Sequence, residues 1–195
     1  PTPVESPSII KINYSLAREL GIELDKMSMN SLADIFSGNQ LMPDSEPLAM
    51  VYAGHQFGNF VPRLGDGRAI LLGEVIDTSN RRRDVQLKGA GLTPFSRQGD
   101  GRAALGPVLR EYIISEAMYS LGIPTTRSLG AVATGEPVYR EKVFPGAILT
   151  RVALGHIRTG TFQYFSLQRD ENAIIKLADY VIGRNYPIIK NTKNP

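Results

Sequence analysis

Apolar residues in the first part of the chain fall at helical spacing in two places. Leu16, Ala17, Leu20 and Ile22 predict a short helix over Ser15–Leu20, with Gly21 near its end. Asn30–Phe36 predicts a second, with Asn30 as its N-cap and Ser37-Gly38-Asn39 closing it. Residues 1–10 are rich in Pro and Ser and read as extended, and Pro43–Pro47 reads as a linker. The period then changes. Arg68–Ile76 is a β-rich run, Asp77–Asn80 a turn signal, and Asp84–Lys88 alternates apolar and polar residues. Together they predict an antiparallel hairpin with Lys88 on the face opposite Val85 and Leu87. Gly89–Gly106 reads as a long loop. Pro107 suits the first position of a helix, with Val108–Leu121 following and Leu109, Ile113, Ala117 and Leu121 as its apolar stripe. Gly122 and Pro124 end it. Three strand-like runs follow, Ser128–Ala133, Val138–Lys142 and Ala147–Ala153, with Gly135-Glu136-Pro137 as the turn between the first two. A last helix is expected around Glu171–Ile182, interrupted beyond by Pro187. Strands, one main helix, then more strands predict an α+β lobe rather than alternating βαβ units.

Composition narrows this picture modestly. The 195 residues are 42% hydrophobic and 21% charged, the profile of a folded domain rather than a disordered chain. The net charge of +3 is too small to imply nucleic acid, and the densest basic run, Arg81-Arg82-Arg83, has no aromatic beside it. Cysteine is absent and only His55 and His156 offer imidazole, which argues against disulfides and a zinc site. No run approaches the ~20 apolar residues of a membrane span, and the start has no signal-peptide pattern. A cytoplasmic location is the expectation, with no membrane and no nucleic acid as partners. The absence of an initiator Met and the Lys193-Asn194-Pro195 ending read as the boundaries of a fragment.

Several residues suggest anion chemistry. Gly65-Asp66-Gly67-Arg68-Ala69 recurs as Gly99-Asp100-Gly101-Arg102-Ala103. Glycines let backbone N–H groups approach a ligand, and an adjacent Arg offers a forked cation to phosphate. The same residues also fit a tight turn before a strand. Lys88 on a strand, followed 23 positions later by Glu111 on a helix, matches the ion pair of kinase N-lobes. It equally fits a surface lysine and a helix-start glutamate. Arg151 and Arg158 flank a Leu154-Gly155-His156 turn and suit a polyphosphate or two unrelated surface sites. Asp100 and Gly101 suit a nucleoside contact or an Asx-turn. His55 reads as a structural, hydrogen-bonded histidine, and no Ser-His-Asp set appears.

The order of these signals is more specific than any one of them. Tyr52-Ala-Gly-His-Gln-Phe-Gly-Asn59, Leu64-Gly-Asp-Gly-Arg-Ala69, Gln86-Leu-Lys-Gly-Ala-Gly-Leu-Thr-Pro-Phe-Ser-Arg97 and Asp100-Gly-Arg-Ala-Ala104 follow one another. Arg110-Glu-Tyr112, Ser115-Glu-Ala-Met118, Gly122-Ile-Pro-Thr-Thr126 and Arg151–Phe165 come after. With Asn13–Gly21 ahead of them, these segments closely resemble the selenoprotein O family over roughly residues 10 to 185.

The resemblance implies a protein-kinase-like fold that transfers AMP, not phosphate, from ATP to Ser, Thr or Tyr hydroxyls of proteins. ATP would sit flipped, its α-phosphorus facing the acceptor. The family's nucleotide contacts match Gly65, Gly67, Arg68, Lys88, Asp100, Gly101, Arg151 and Arg158, with Lys88 paired to Glu111. Arg151, Arg158 and Lys88 are expected on phosphates, and Asp100 and Gly101 near the nucleoside. The family's catalytic Asp and its metal-binding Asn and Asp lie in a C-lobe and find no match here. Mg²⁺ would therefore bind through residues absent from this chain and through ATP itself, and the chain alone is expected to be inactive. The implied division is an N-terminal helical extension over residues 1–47 and a nucleotide-binding kinase-like N-lobe over 48–170. Residues 171–195 would begin the connection to the C-lobe. A phosphotransferase and a non-catalytic, ATP-sensing pseudokinase module are the alternatives.

Overall fold

A computed structural model describes residues 1–189. It is α+β, and divides into two compact units. The first comprises residues 1–50 and 66–156, the second residues 51–65 and 157 onward.

The first unit is built on an antiparallel six-stranded sheet. Its strands are β1 (Ser8–Ile12), β4 (Ala69–Ile76), β5 (Arg82–Lys88), β6 (Ala103–Ala104), β7 (Arg127–Tyr139) and β8 (Val143–Ala153). The order is β1-β7-β8-β5-β4, with the short β6 pairing to β8. The expected hairpin is β4–β5, in which Ala69 lies opposite Lys88. Strand β8 is central: Gln86 of β5 faces Arg151 on it, and Lys88 faces Leu149.

Alternation along these strands sends residues to two differently covered faces. Leu87, Leu129, Val132, Ile148 and Val152 join one core with Leu16, Leu20, Leu32 and Phe36. The last four come from helix α1 (Tyr14–Glu19), its C-terminal cap, and helix α2 (Met29–Ser37). The N-terminal segment thus covers one sheet face and supplies edge strand β1. The other face carries small residues, Ala103, Ala131 and Ala147, with Leu149, beneath Val108 and Tyr112 of helix α3 (Leu105–Ser120).

Local chemistry sets the helix ends. Asn13 Oδ1 accepts from the Leu16 N–H at 3.0 Å and starts α1. Ser28, not Asn30, caps α2, its hydroxyl accepting from the Ser31 N–H at 3.1 Å. Gly38 closes α2 in the left-handed conformation, φ 83°. Helix α3 begins two residues before Pro107, which still falls in the first turn, where backbone N–H groups have no helical partner.

Two expectations fail here. The Leu109, Ile113, Ala117, Leu121 stripe is not the buried face of α3: Ile113 is 63% and Leu121 74% exposed. The helix packs through Val108, Tyr112 and Ser115, because the alanine-floored sheet brings it close and the Ser115 and Ser128 hydroxyls lie 2.7 Å apart. The run Ser128–Ala133 and the first two residues of Val138–Lys142, Val138 and Tyr139, belong to one strand, β7, and Gly135-Glu136-Pro137 is no turn. The pairing shifts register there but resumes with Pro137 opposite Pro145. Gly135 takes φ 76°, and the Thr134 hydroxyl accepts from the Glu136 N–H at 3.2 Å, so the chain bulges and continues. The reversal falls at Arg140–Lys142 instead.

The second unit holds a small hairpin, β2 (Gly54–Gln56) with β3 (Asn59–Val61), and helices α4 (Thr159–Leu167) and α5 (Glu171–Asn185). Asp170 caps α5 through the Ala173 N–H at 2.9 Å. Helix α4 is invisible to periodicity because its TGTFQYFSL sequence is β-branched, aromatic and Gly-containing. His55 sits exposed on β2 with its ring edge-on to Phe60, not in a buried hydrogen-bonded setting.

Two polar clamps fix the first unit. Glu116 of α3 accepts from Arg127 Nε and Nη2, each at 2.9 Å, from the Ser128 N–H at 2.9 Å and from Asn13 Nδ2 at 2.8 Å. One carboxylate so ties α3 to β7 and to the start of α1. Arg127 is buried and also lies 3.4 Å from the Tyr119 ring centroid. At the β4–β5 turn, Asp77 accepts from the Ser79 and Arg81 N–H groups at 2.9 Å and from Arg83 Nε at 2.8 Å. Arg82 pairs with Glu74 at 2.6 Å, so each arginine of the Arg81–Arg83 run has a partner within its own hairpin, Arg81 and Arg83 sharing Asp77.

Glu116→Gln keeps the shape but removes the charge, and leaves buried Arg127 with only the longer contact to Glu19, 3.5 Å away, as an ionic partner. The expected loss is about 3 kcal/mol of stability, read from urea midpoints. A loss no larger than that of an exposed Glu→Gln change would show that the clamp carries no stability. Burial pushes the Asp77 carboxyl up, but its N–H and guanidinium donors outweigh this and bring it from 3.8 down to about 2. A lowered carboxylate stabilises the fold above its unfolded pKa and loses that contribution as pH falls through the folded one. Asp77→Asn is therefore expected to lower the thermal midpoint at neutral pH. The gap to wild type should close as pH falls from about 4 toward 2; a gap of constant size over that range would refute the assignment.

Candidate functional site

Strand parity brings the central side chains together. Gln86 and Lys88 lie two apart on β5, and Arg151 faces Gln86 across the ladder. All three project to the α3 side, where Glu111 descends from the second turn of the helix. Lys88 Nζ donates to Glu111 Oε2, and Arg151 Nη1 donates to Glu111 Oε1 at 3.1 Å. Arg151 Nη2 donates to Gln86 Oε1, while Gln86 Nε2 donates to Asp66 Oδ2 at 3.3 Å. A continuous network thus runs Lys88–Glu111–Arg151–Gln86–Asp66.

The environment is only partly desolvated. The side chains of Lys88 and Glu111 are 26% and 29% exposed, that of Arg151 11%. Burial pushes the Lys88 ammonium below its ordinary value; the Glu111 hydrogen bond opposes this, and the charges of Arg151 and Arg68 reinforce it. Burial works against the Glu111 carboxylate, yet Lys88 and Arg151 together hold it below the usual range. Glu111 is thus ionised, and the cationic side outnumbers it. Beside it, α3 and the segment 125–128 border a cavity of about 310 Å³. Glu111, Ile114, Met118, Thr125, Thr126 and Arg151 are among its lining residues.

The loop before β4 is held from outside. Asp66 is buried; its carboxylate accepts from the Met50 N–H at 3.2 Å and its carbonyl from the Thr93 hydroxyl at 2.7 Å. The Gly67 carbonyl accepts from the Ser96 hydroxyl at 2.6 Å, and a Cβ on Gly67 would meet the Phe95 carbonyl oxygen at 3.0 Å. Gly65 adopts φ 69°. Arg68 precedes β4 beside Lys88: its carbonyl accepts from the Gly89 N–H at 2.7 Å, and its Nη1 reaches the Arg102 carbonyl at 3.4 Å.

The second copy of the repeat is built differently. Asp100 is exposed and binds Arg140 bidentately at 2.7 and 2.8 Å, which holds its carboxyl below the usual range. It also accepts from the Arg102 N–H at 2.9 Å, the expected Asx-type turn. Gly101 takes φ 69°, and a Cβ there would lie 2.0 Å from the Gly91 carbonyl oxygen. Only glycine fits.

Among the sequence candidates, the structure joins Arg68, Lys88, Glu111 and Arg151. Asp100 and Gly101 lie at the neighbouring crossing, linked to Arg68 through the Arg102 carbonyl, which also accepts from Arg140 at 3.2 Å. Arg158 belongs to the second unit, at the N-cap of α4, with its guanidinium carbon 4.8 Å from the Tyr52 ring centroid. There the Ala53 N–H donates to the Gly160 carbonyl at 2.8 Å. Gln86 was not recognised from sequence. Its signal was parity: a polar residue two positions before Lys88 on an alternating strand. His156 is buried, its N–H donating to Asp84 Oδ2 at 2.7 Å and its ring Nδ1 3.3 Å from the same oxygen. Among the described residues, no group of three or more His, Asp or Glu side chains is placed to hold a metal ion, and no helix is long and apolar enough to cross a membrane.

Residues 2–195 match the family model described as protein adenylyltransferase SelO. Similar proteins include the "protein nucleotidyltransferase YdiU" of Rhizobium rhizogenes, 67% identical over 194 residues, covering 100% of this chain and 38% of that protein. Those of Rhizobium meliloti and Rhodopseudomonas palustris are 64% and 63% identical over 195 residues, covering all of this chain and 40% of each. The chain spans about two fifths of the length of the curated relatives it matches. With the family model matched over nearly its whole length, this chain belongs to the SelO family.

Proposed function

We propose that this chain is the ATP-gripping, kinase-like N-lobe of a protein adenylyltransferase. The whole protein transfers AMP from ATP to Ser, Thr or Tyr hydroxyls of other proteins. The observation that carries this reading is the Lys88–Glu111–Arg151 cluster under α3. A carboxylate that fixes an ammonium and a guanidinium side by side leaves their outer N–H groups aimed at a common region. A polyphosphate satisfies such a pair better than any single carboxylate does.

Arg68 adds a third cation, Gly67 brings backbone close, and Asp100 with Gly101 is assigned to the nucleoside; Gly65 is assigned to the nucleotide by the family resemblance alone. Arg158 is assigned to ATP binding by the family resemblance alone. In the step itself, the acceptor hydroxyl oxygen forms a bond to the α-phosphorus. The bond from that phosphorus to the α,β-bridging oxygen breaks, and pyrophosphate leaves. Lys88 and Arg151 hold phosphate oxygens and offset their charge. Among the described residues no group of three or more His, Asp or Glu side chains is placed together to hold a metal ion, and this reading routes no step through Mg²⁺. In this reading the general base and metal ligands belong to the C-lobe that the family resemblance implies.

Labelled ATP tests the reaction in the full-length protein. Protein label is expected from α-³²P ATP and not from γ-³²P ATP. Label from the γ position would instead make it a phosphotransferase, and ATP binding with no label from either would make it a sensing module. Lys88→Ala is expected to cut label transfer by about a hundredfold or more while leaving the thermal midpoint near wild type. An unchanged rate would return Lys88 to the surface lysines. Arg151→Ala and Arg158→Ala are expected to raise the ATP Kd more than they lower kcat.

A further inference from the structure

Gln86 is the one member of the network with no charge, and it is completely buried, 0% exposed. Its amide faces two different demands. Toward Asp66 it must donate, and Nε2 does so at 3.3 Å. Toward Arg151 it must accept, and Oε1 takes the Nη2 proton. A carboxylate at this position has no proton for Asp66, and an ammonium has no lone pair for Arg151. Arg151 is gripped from both sides, by Gln86 on Nη2 and Glu111 on Nη1, so the plane of its guanidinium is set before a ligand arrives. The far end is anchored as well. Asp66 exchanges a backbone bond with Met50, its N–H donating to that carbonyl at 2.9 Å, and its carboxylate takes the Met50 N–H.

We propose that Gln86 is a positioning residue for nucleotide binding: it orients Arg151 toward the phosphates and couples that orientation to the loop around Asp66. This rests on the nucleotide reading above and adds to it a residue that touches no substrate. Neutrality is part of the role. Lys88, Arg68 and Arg151 stand against Glu111 and Asp66, leaving one positive charge for the ligand. A carboxylate at position 86 cancels it and also faces Asp66 at hydrogen-bond distance.

The test uses Gln86→Met, which keeps volume and loses both bonds, and Gln86→Glu, which keeps the acceptor toward Arg151 and loses the donor and the neutrality. Both are made in the full-length protein. The Met variant is expected to raise KM for ATP about tenfold, equivalent to about 1.4 kcal/mol, with kcat changed far less. The Glu variant is expected to raise it further. A second readout is the Arg151 guanidinium NMR signal, identified by its loss in Arg151→Lys. Its two Nη groups are expected to be distinct in wild type, through slow rotation, and to merge in Gln86→Met. If the Met variant does not fold, the Glu variant decides on KM alone. Unchanged KM in a folded variant, or Arg151 signals indifferent to residue 86, would overturn the proposal. A wild type that binds no ATP would sink the nucleotide reading instead, while the Arg151 signals would still decide what Gln86 does.

Discussion

Two cations on adjacent strands share one carboxylate. Lys88 and Arg151 sit on the same sheet face, partly withdrawn from water, where like charges repel more strongly than in bulk solvent. Glu111 makes that juxtaposition tolerable by accepting from both. Its own position depends on α3, and α3 depends on two things. Its underside meets a floor of Ala103, Ala131 and Ala147, which permits close approach. Its further half is fastened by Glu116 to Arg127, Ser128 and Asn13. Since Asn13 also starts α1, the helix that holds the Lys88 partner is fixed by the same residue that begins the opposite layer. The N-terminal helices cover the apolar face whose reverse carries the cluster.

Much of this was legible in the sequence. Alternation in Asp84–Lys88 placed Lys88 opposite Leu87, and Leu87 is indeed wholly buried against the N-terminal helices while Lys88 turns to α3. Turn residues marked the β4–β5 hairpin, and Gly21 and Gly38 marked the C-terminal ends of α1 and α2, because their effect is local; the start of α2 was misplaced, since Ser28 and not Asn30 caps it. What failed was long-range. The stripe on α3 was chosen by apolar character, but the sheet beneath it accepts a helix through Val108, Tyr112 and a Ser115–Ser128 contact. No periodicity reveals that a neighbour is floored with alanine. The Gly135-Glu136-Pro137 bulge carries every residue of a turn, and only the partner strand, resuming its register at Pro145, shows otherwise. Gln86 escaped notice for a related reason: a lone glutamine in a strand acquires meaning only once Arg151 and Asp66 stand on either side of it.

The repeated Gly-Asp-Gly-Arg-Ala shows how far context decides chemistry. In the first copy Asp66 is buried and feeds the network through Gln86. In the second Asp100 faces solvent and holds Arg140. The glycines differ too: Gly101 is fixed by a backbone crossing that leaves no room for a Cβ, so its presence follows from the fold whether or not a ligand comes near. A carboxylate has about four lone-pair directions. Arg140 uses one on each Asp100 oxygen, and the Arg102 N–H uses a second on Oδ1. That leaves one direction, on Oδ2. A nucleoside contact at Asp100 therefore has the capacity of a single hydrogen bond from a hydroxyl or amino group, with Arg140 retained, whereas a bidentate grip would require that ion pair to open first.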